Sequence, residues 1–123
     1  MHAALREQRQ AESAFAAKNA RAGLAGLRRA AGMALNACLI LEPEDAWGRS
    51  YMDHLLAVHA GRGPGVPPRV AEACGILVET PMPGGELTAL RTKSSEERLL
   101  EAARDVIAHA YARVRRAARG EVV

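Results

Sequence analysis

LAGLRRAAGMALNACLIL, residues Leu24 to Leu41, is the stretch that decides the fold. Leu24, Leu27, Ala31, Ala34, Leu35, Cys38 and Leu41 recur at three- and four-residue steps, the spacing that lines one face of an α-helix and that a strand does not reproduce. Such a stripe has to be sheltered from water, so other amphipathic helices must pack on it. Gly23, Gly26 and Gly32 lie inside this helix, each costing up to about 1 kcal/mol relative to alanine. Keeping them at that cost implies that a neighbour approaches the backbone closely.

Working outward, residues 3 to about 18 are rich in Ala, Glu, Gln and Arg and predict a first helix with Leu5, Ala11 and Phe15 on its apolar side. Asn19 is the candidate cap between the two helices, with one continuous helix from 3 to 41 as the alternative. Downstream, Glu42-Pro43-Glu44-Asp45 ends the second helix, because Pro43 disfavours helical geometry at the residue before it. Ser50 with Asp53 predicts the capped start of a short helix that carries Leu55, Leu56 and Val58 to about Ala60. The turn at residues 61–65 follows, and Pro67-Pro68 suits the first turn of a fourth helix with Val70, Ala73, Cys74 and Leu77 as its buried stripe. Residues 80–85 stop that helix and open a loop to roughly Lys93, in which Leu87 and Leu90 are expected to pack on the bundle. Ser94-Ser95-Glu96-Glu97 then predicts a capping box for a last helix to about Arg119, with Leu99, Leu100, Ala103, Val106, Ile107, Ala110 and Val114 on its apolar side. The expected fold is all-α: an antiparallel bundle of four to five helices forming one domain over 1–123, with 120–123 frayed.

Composition agrees with a single globular domain: the chain has 123 residues, 49% of them apolar and 25% charged. Aromatic residues are confined to Phe15, Trp47, Tyr51 and Tyr111, so the core must be built from small side chains that bring helix axes toward the short end of the roughly 8–10 Å range. Burying little apolar area per residue makes a homodimer the expected assembly. Cys38 and Cys74, set among apolar neighbours, are expected to be reduced core residues. The N-terminus carries His2, Arg6, Glu7, Arg9 and Glu12, and no run of about 18 uninterrupted apolar residues exists, so the expectation is a soluble, cytoplasmic protein with no membrane partner. The net charge of +3 rests on arginine, Lys18 and Lys93 being the only lysines, and permits an anionic partner.

Few patterns carry chemistry. His54 and His59, with Asp53 beside the first, lack ligand spacing, and the glycines at 61, 63 and 65 lack the lysine of a phosphate loop; no metal and no cofactor is expected. Ser50 is expected to cap a helix, and Met33 and Met52 to fill the core. Arg113, Arg115, Arg116 and Arg119 crowd the end of the last helix, where its dipole favours cations. They read either as a solvated basic helix end or as a surface that tracks an RNA backbone.

The run Arg104-Asp105-Val106-Ile107-Ala108-His109-Ala110-Tyr111 resembles the R-x4-H-x-Y signature of the HEPN superfamily. Lys18 to Gly23 and Leu27 to Ala37 are similar to the long helix of those proteins, and the resemblance spans about residues 13 to 118. It implies a dimer in which Arg104 and His109 of two protomers face one another, acting on RNA as metal-independent ribonucleases of the toxin type do. On that resemblance His109 serves as general acid–base, Arg104 holds a phosphate, and Tyr111 donates to a phosphate or accepts a nucleotide from a nucleotidyltransferase partner in a toxin–antitoxin pair. At 100° per residue Arg104 and His109 project about 140° apart, so one regular helix does not bring them together. The other reading is a non-catalytic module that binds nucleotide, RNA or a protein on the same scaffold, with Tyr111 partly buried and Arg104 and His109 as boundary residues.

Overall fold

The computed structural model describes residues 2–43, 45–62, 65–82 and 93–120. Among them are five α-helices, one short 3-10 turn and no strand. The helices are α1 (His2–Ala16), α2 (Ala20–Leu41), α3 (Tyr51–His59), α4 (Pro68–Glu79) and α5 (Lys93–Ala118), with the 3-10 turn at Asp45–Trp47 between α2 and α3. The fold is therefore the all-α bundle that the heptad-like stripes predict. The segment holding Leu87 and Leu90, and residues 121–123 of the end expected to fray, lie outside the described residues.

α1 and α2 are two helices and not one. Lys18 takes a left-handed backbone angle, φ 63°, and the Asn19 side chain accepts a hydrogen bond from the Ala22 N–H at 3.2 Å, which starts α2 afresh. The chain reverses there, so α1 lies antiparallel along α2, with Phe15 over Gly23 and Ala11 over Gly26. A β-carbon at Gly23 would stand 2.6 Å from the Phe15 ring, and one at Gly26 2.9 Å from the Ala11 Cβ. At Gly32 the neighbour is the Tyr51 backbone, its Cα 2.9 Å from such an atom. The three glycines thus serve the close approaches that their cost implied.

α2 is the central strut, packed by α1, α3 and α5, while α4 bridges α3 and α5. Its core side chains Leu24, Leu27, Ala30, Ala31, Ala34 and Leu35 are wholly shielded from solvent. Facing them from α5 are Leu99, Ala103, Val106 and Ala110, again small or medium-sized. Met33 packs at the margin of this core, but Met52 is 38% exposed and fills nothing, because α3 is only nine residues long and its outer side faces water. Cys38 and Cys74 are free and buried, as their apolar surroundings predict.

Two polar ties fix the helices in place. Arg28 of α2 donates to the last carbonyls of α4, reaching Leu77 at 2.8 Å and Thr80 at 2.7 Å, so acceptors that a helix end leaves unpaired are satisfied by a charged donor. At the other end of α2, Trp47 is buried and donates its indole N–H to the Arg62 carbonyl at 3.0 Å. His54, also buried, donates from Nδ1 to the Trp47 carbonyl at 2.8 Å and faces the Asn36 amide with Nε2. Ser50 and Asp53 form the expected capping box. The last helix begins at Lys93, so Ser94 lies in its first turn and not at its cap.

Candidate nucleic-acid interface

α5 carries the nominated residues from Arg104 to Arg116, with Arg119 in the turn just beyond its end, and the rotation of the helix distributes them to different neighbours. Arg104 is exposed and pairs with Glu12 of α1 through Nη2 at 3.1 Å. Asp105 turns the other way and receives Arg69 of α4 at 3.0 Å. His109 is half-buried, and its Nε2 is shielded from solvent with no hydrogen-bond partner among the described residues. Tyr111 points outward at 45% exposure, more open than a partly buried ring, and the Arg115 guanidinium stands 5.7 Å from its centroid. Arg104 and His109 therefore stay on separate flanks of α5 within one chain. Burial pulls the His109 imidazole below the usual histidine range, and the nearby Arg113 and Arg116 act in the same direction, so the ring is held neutral.

The four C-terminal arginines divide into an inner and an outer group. Arg113 is withdrawn, with 11% of its side chain exposed; it lies 5.4 Å from the centroid of Trp47 and brings Nε to 3.8 Å from Glu42. Trp47 and Glu42 are partners that spacing along α5 gives no means of finding. Arg115, Arg116 and Arg119, with Tyr111 and Ala112, line a shallow groove of about 330 Å³ on the outer side of α5, and among the described residues no carboxylate is in its walls. Arg116 belongs to both groups, since its Nε is buried without a hydrogen-bond partner among the described residues while its side chain also borders the groove. The C-terminal end of a helix dipole lowers the cost of gathering these cations. The outcome is a basic surface with an aromatic ring at its edge, suited to phosphate oxygens beside a flat base.

Other parts of the molecule offer less. The hollow between α4 and α5 is bordered by Arg69, Arg98, Glu72, Glu101 and Asp105, opposite charges that largely cancel. His59 sets its two ring nitrogens against the Ala71 carbonyl and the Glu79 carboxylate, and His54 is committed to Trp47, so both histidines serve local structure. No three His, Cys, Asp or Glu side chains converge in a metal-holding group among the described residues. Burial pushes the Cys38 thiol up to about 11 and the Cys74 thiol to about 12, which leaves neither as a thiolate nucleophile at neutral pH. α2 is long and apolar enough to cross a membrane by length and composition, but half of that window is buried inside the bundle, which accounts for its hydropathy. No protein-family model, no curated protein and no solved structure matches the chain.

Proposed function

We propose that this chain is a HEPN-like helical domain that binds RNA or nucleotides without cleaving them, through the outer surface of the last turns of α5. One observation carries the reading: Arg115, Arg116 and Arg119 share a groove with the Tyr111 ring, and among the described residues no carboxylate lines it. Arginines bordering an aromatic face contact phosphates and stack on bases with little regard to sequence, which is the chemistry of single-stranded binding. The tie between Arg104 and Glu12, and the neutral, inward-turned His109, favour binding over cutting. The domain acts as a homodimer in the cytoplasm, and a nucleotidyltransferase is its candidate protein partner.

The experiment is a titration of labelled single-stranded RNA at several salt concentrations. Three arginine–phosphate contacts on a single strand give a slope of log affinity against log salt of about −2. Replacing Arg115 and Arg119 with alanine should lower that slope to roughly −1, while Arg6→Ala on α1 should leave it unchanged. A salt-independent affinity, or none at all, removes the reading. The second reading, a ribonuclease whose dimer joins Arg104 and His109 of two copies, rests on the R-x4-H-x-Y string. It requires that RNA be cut by the wild-type protein and left whole by His109→Ala and Arg104→Ala.

A further inference from the structure

Three buried side-chain nitrogens lack a hydrogen-bond partner among the described residues, and all three belong to one stripe of α5: His109 Nε2, Arg113 Nη1 and Arg116 Nε. Their spacing of four and three residues puts them on a single face within about 10 Å of helix axis. The two arginine nitrogens are charged donors, and buried donors of that kind are almost always paired in folded proteins, so their orphaning marks a place where an acceptor belongs, with the His109 ring beside it as a further donor when its proton sits on Nε2. Neither arginine has an acceptor at those atoms among the described residues, and the one carboxylate that the described residues bring to the stripe, Glu42, stands 3.8 Å from Arg113 Nε and is 41% exposed. Two full positive charges against one partly solvated negative charge select an oxyanion and exclude a metal cation.

The surroundings say which oxyanion. The inner side of the stripe is closed by Trp47, which is 2% exposed and lies beneath the Arg113 guanidinium. A strand running through would need an exit on that side, so only a terminal group can be seated there. On the outer side Arg116 joins the stripe to the groove with Tyr111, whose volume of about 330 Å³ is at the lower end of the range for small-molecule pockets and matches about one nucleotide. We infer that His109, Arg113 and Arg116 form a receptor for a phosphomonoester, reached from the groove when the Arg116 side chain turns, with the attached nucleoside lying along the Arg116 side of that groove. This inference deepens the RNA- and nucleotide-binding reading and rests on it. The phosphomonoester is the end of an RNA strand or a free nucleotide, and the two sources share the same chemistry at the site.

The test compares 5′-phosphorylated and 5′-hydroxyl forms of one short RNA, and a nucleoside monophosphate with its nucleoside, on the full chain. Emission of Trp47, the sole tryptophan, gives a second readout because Arg113 stands over its ring. The receptor predicts that the phosphorylated strand binds about tenfold tighter, as one charge-assisted contact would give. It predicts too that the preference vanishes in Arg116→Gln, and that inorganic phosphate shifts the emission of the wild-type protein. Arg113→Lys, which keeps the charge and loses the planar fork, should weaken the preference if Arg116→Gln does not fold. Discrimination by the monophosphate pair alone identifies the source as free nucleotide. Equal binding within both pairs overturns the receptor and leaves the RNA-binding reading standing. Absence of strand binding removes that reading, and the receptor then survives only as a small-anion site if phosphate still moves the Trp47 emission; without that shift it falls as well.

Discussion

Gly32→Ala tests the architecture by the sign of its effect. Helix propensity alone says that alanine in the middle of α2 should stabilise the protein by up to about 1 kcal/mol. The structure says the opposite, because the added carbon would stand 2.9 Å from the Tyr51 Cα, whereas two carbons prefer about 3.5–4.0 Å. Tyr51 is the first residue of α3 and cannot yield easily. Ser50 and Asp53 clasp the start of that helix, with the Asp53 N–H donating to Ser50 Oγ at 3.0 Å, and His54 is tied to the Trp47 carbonyl at 2.8 Å. Overpacking against such a fixed backbone costs about 1–3 kcal/mol. Set against the propensity gain, the net loss is up to about 2 kcal/mol, which for a chain of this length lowers the melting temperature by as much as roughly 10 °C. Thermal unfolding followed by circular dichroism and by Trp47 fluorescence measures it. A variant that melts at or above the wild-type temperature refutes the close approach of α3 to α2.

Three further outcomes follow from the same contacts. Arg28→Met removes the donors to the Leu77 and Thr80 carbonyls and should cost about 1.5–3 kcal/mol in urea unfolding, with faster amide exchange at the end of α4; an unchanged midpoint would show that water replaces the guanidinium without loss. His109 titrates lower in the folded chain than its ordinary value near 6.5, so the unfolded chain binds more protons around that pH, and stability should fall as pH drops through about 6.5. His109→Asn should flatten that slope between about pH 7.5 and 5.5, and an identical pH profile for the two proteins would place the titration elsewhere. Cys38 and Cys74, raised to about 11 and about 12, should resist a thiol reagent at pH 8 in the native state and react fully in denaturant; fast labelling of the native protein would contradict their burial.

The helices were legible because each carries its own periodic stripe and its own punctuation. Asn19, Ser50 and Pro67-Pro68 mark starts, and the structure uses each of them at or beside a helix start. The glycines of α2 announced a close neighbour, but not which one, since nothing local distinguishes Gly23, which meets Phe15 of α1, from Gly32, which meets Tyr51 of α3. Tertiary partners were legible only where chain reversal brings sequence neighbours together. Arg28 reaching Thr80 and His54 holding Trp47 left no local trace, because a capping arginine or a buried histidine looks like any other until the fold sets its partner.

The candidate site shows the same boundary at the level of charge. Four arginines within seven residues announce a basic helix end, and α5 duly presents one, but spacing treats Arg113 and Arg115 alike while the bundle separates them completely. Position on the helix decides: Arg113 is four residues beyond His109 and shares its inward flank, whereas Arg115 is four beyond Tyr111 and shares its outward one. The inward pair meets Trp47 and Glu42, supplied by the segment that follows α2, and loses its water. The outward pair keeps its water and stays available to a ligand. Arg116 lies between the flanks, half in each environment, so whatever binds the outer surface is coupled to the buried donors through that one side chain. Any account of this protein that treats its four arginines as interchangeable phosphate contacts therefore predicts equal effects of Arg113→Lys and Arg115→Lys on RNA affinity. The arrangement requires those effects to differ: loss at Arg115 should be spread evenly over RNA ligands, and loss at Arg113 should be confined to those that bear a terminal phosphate.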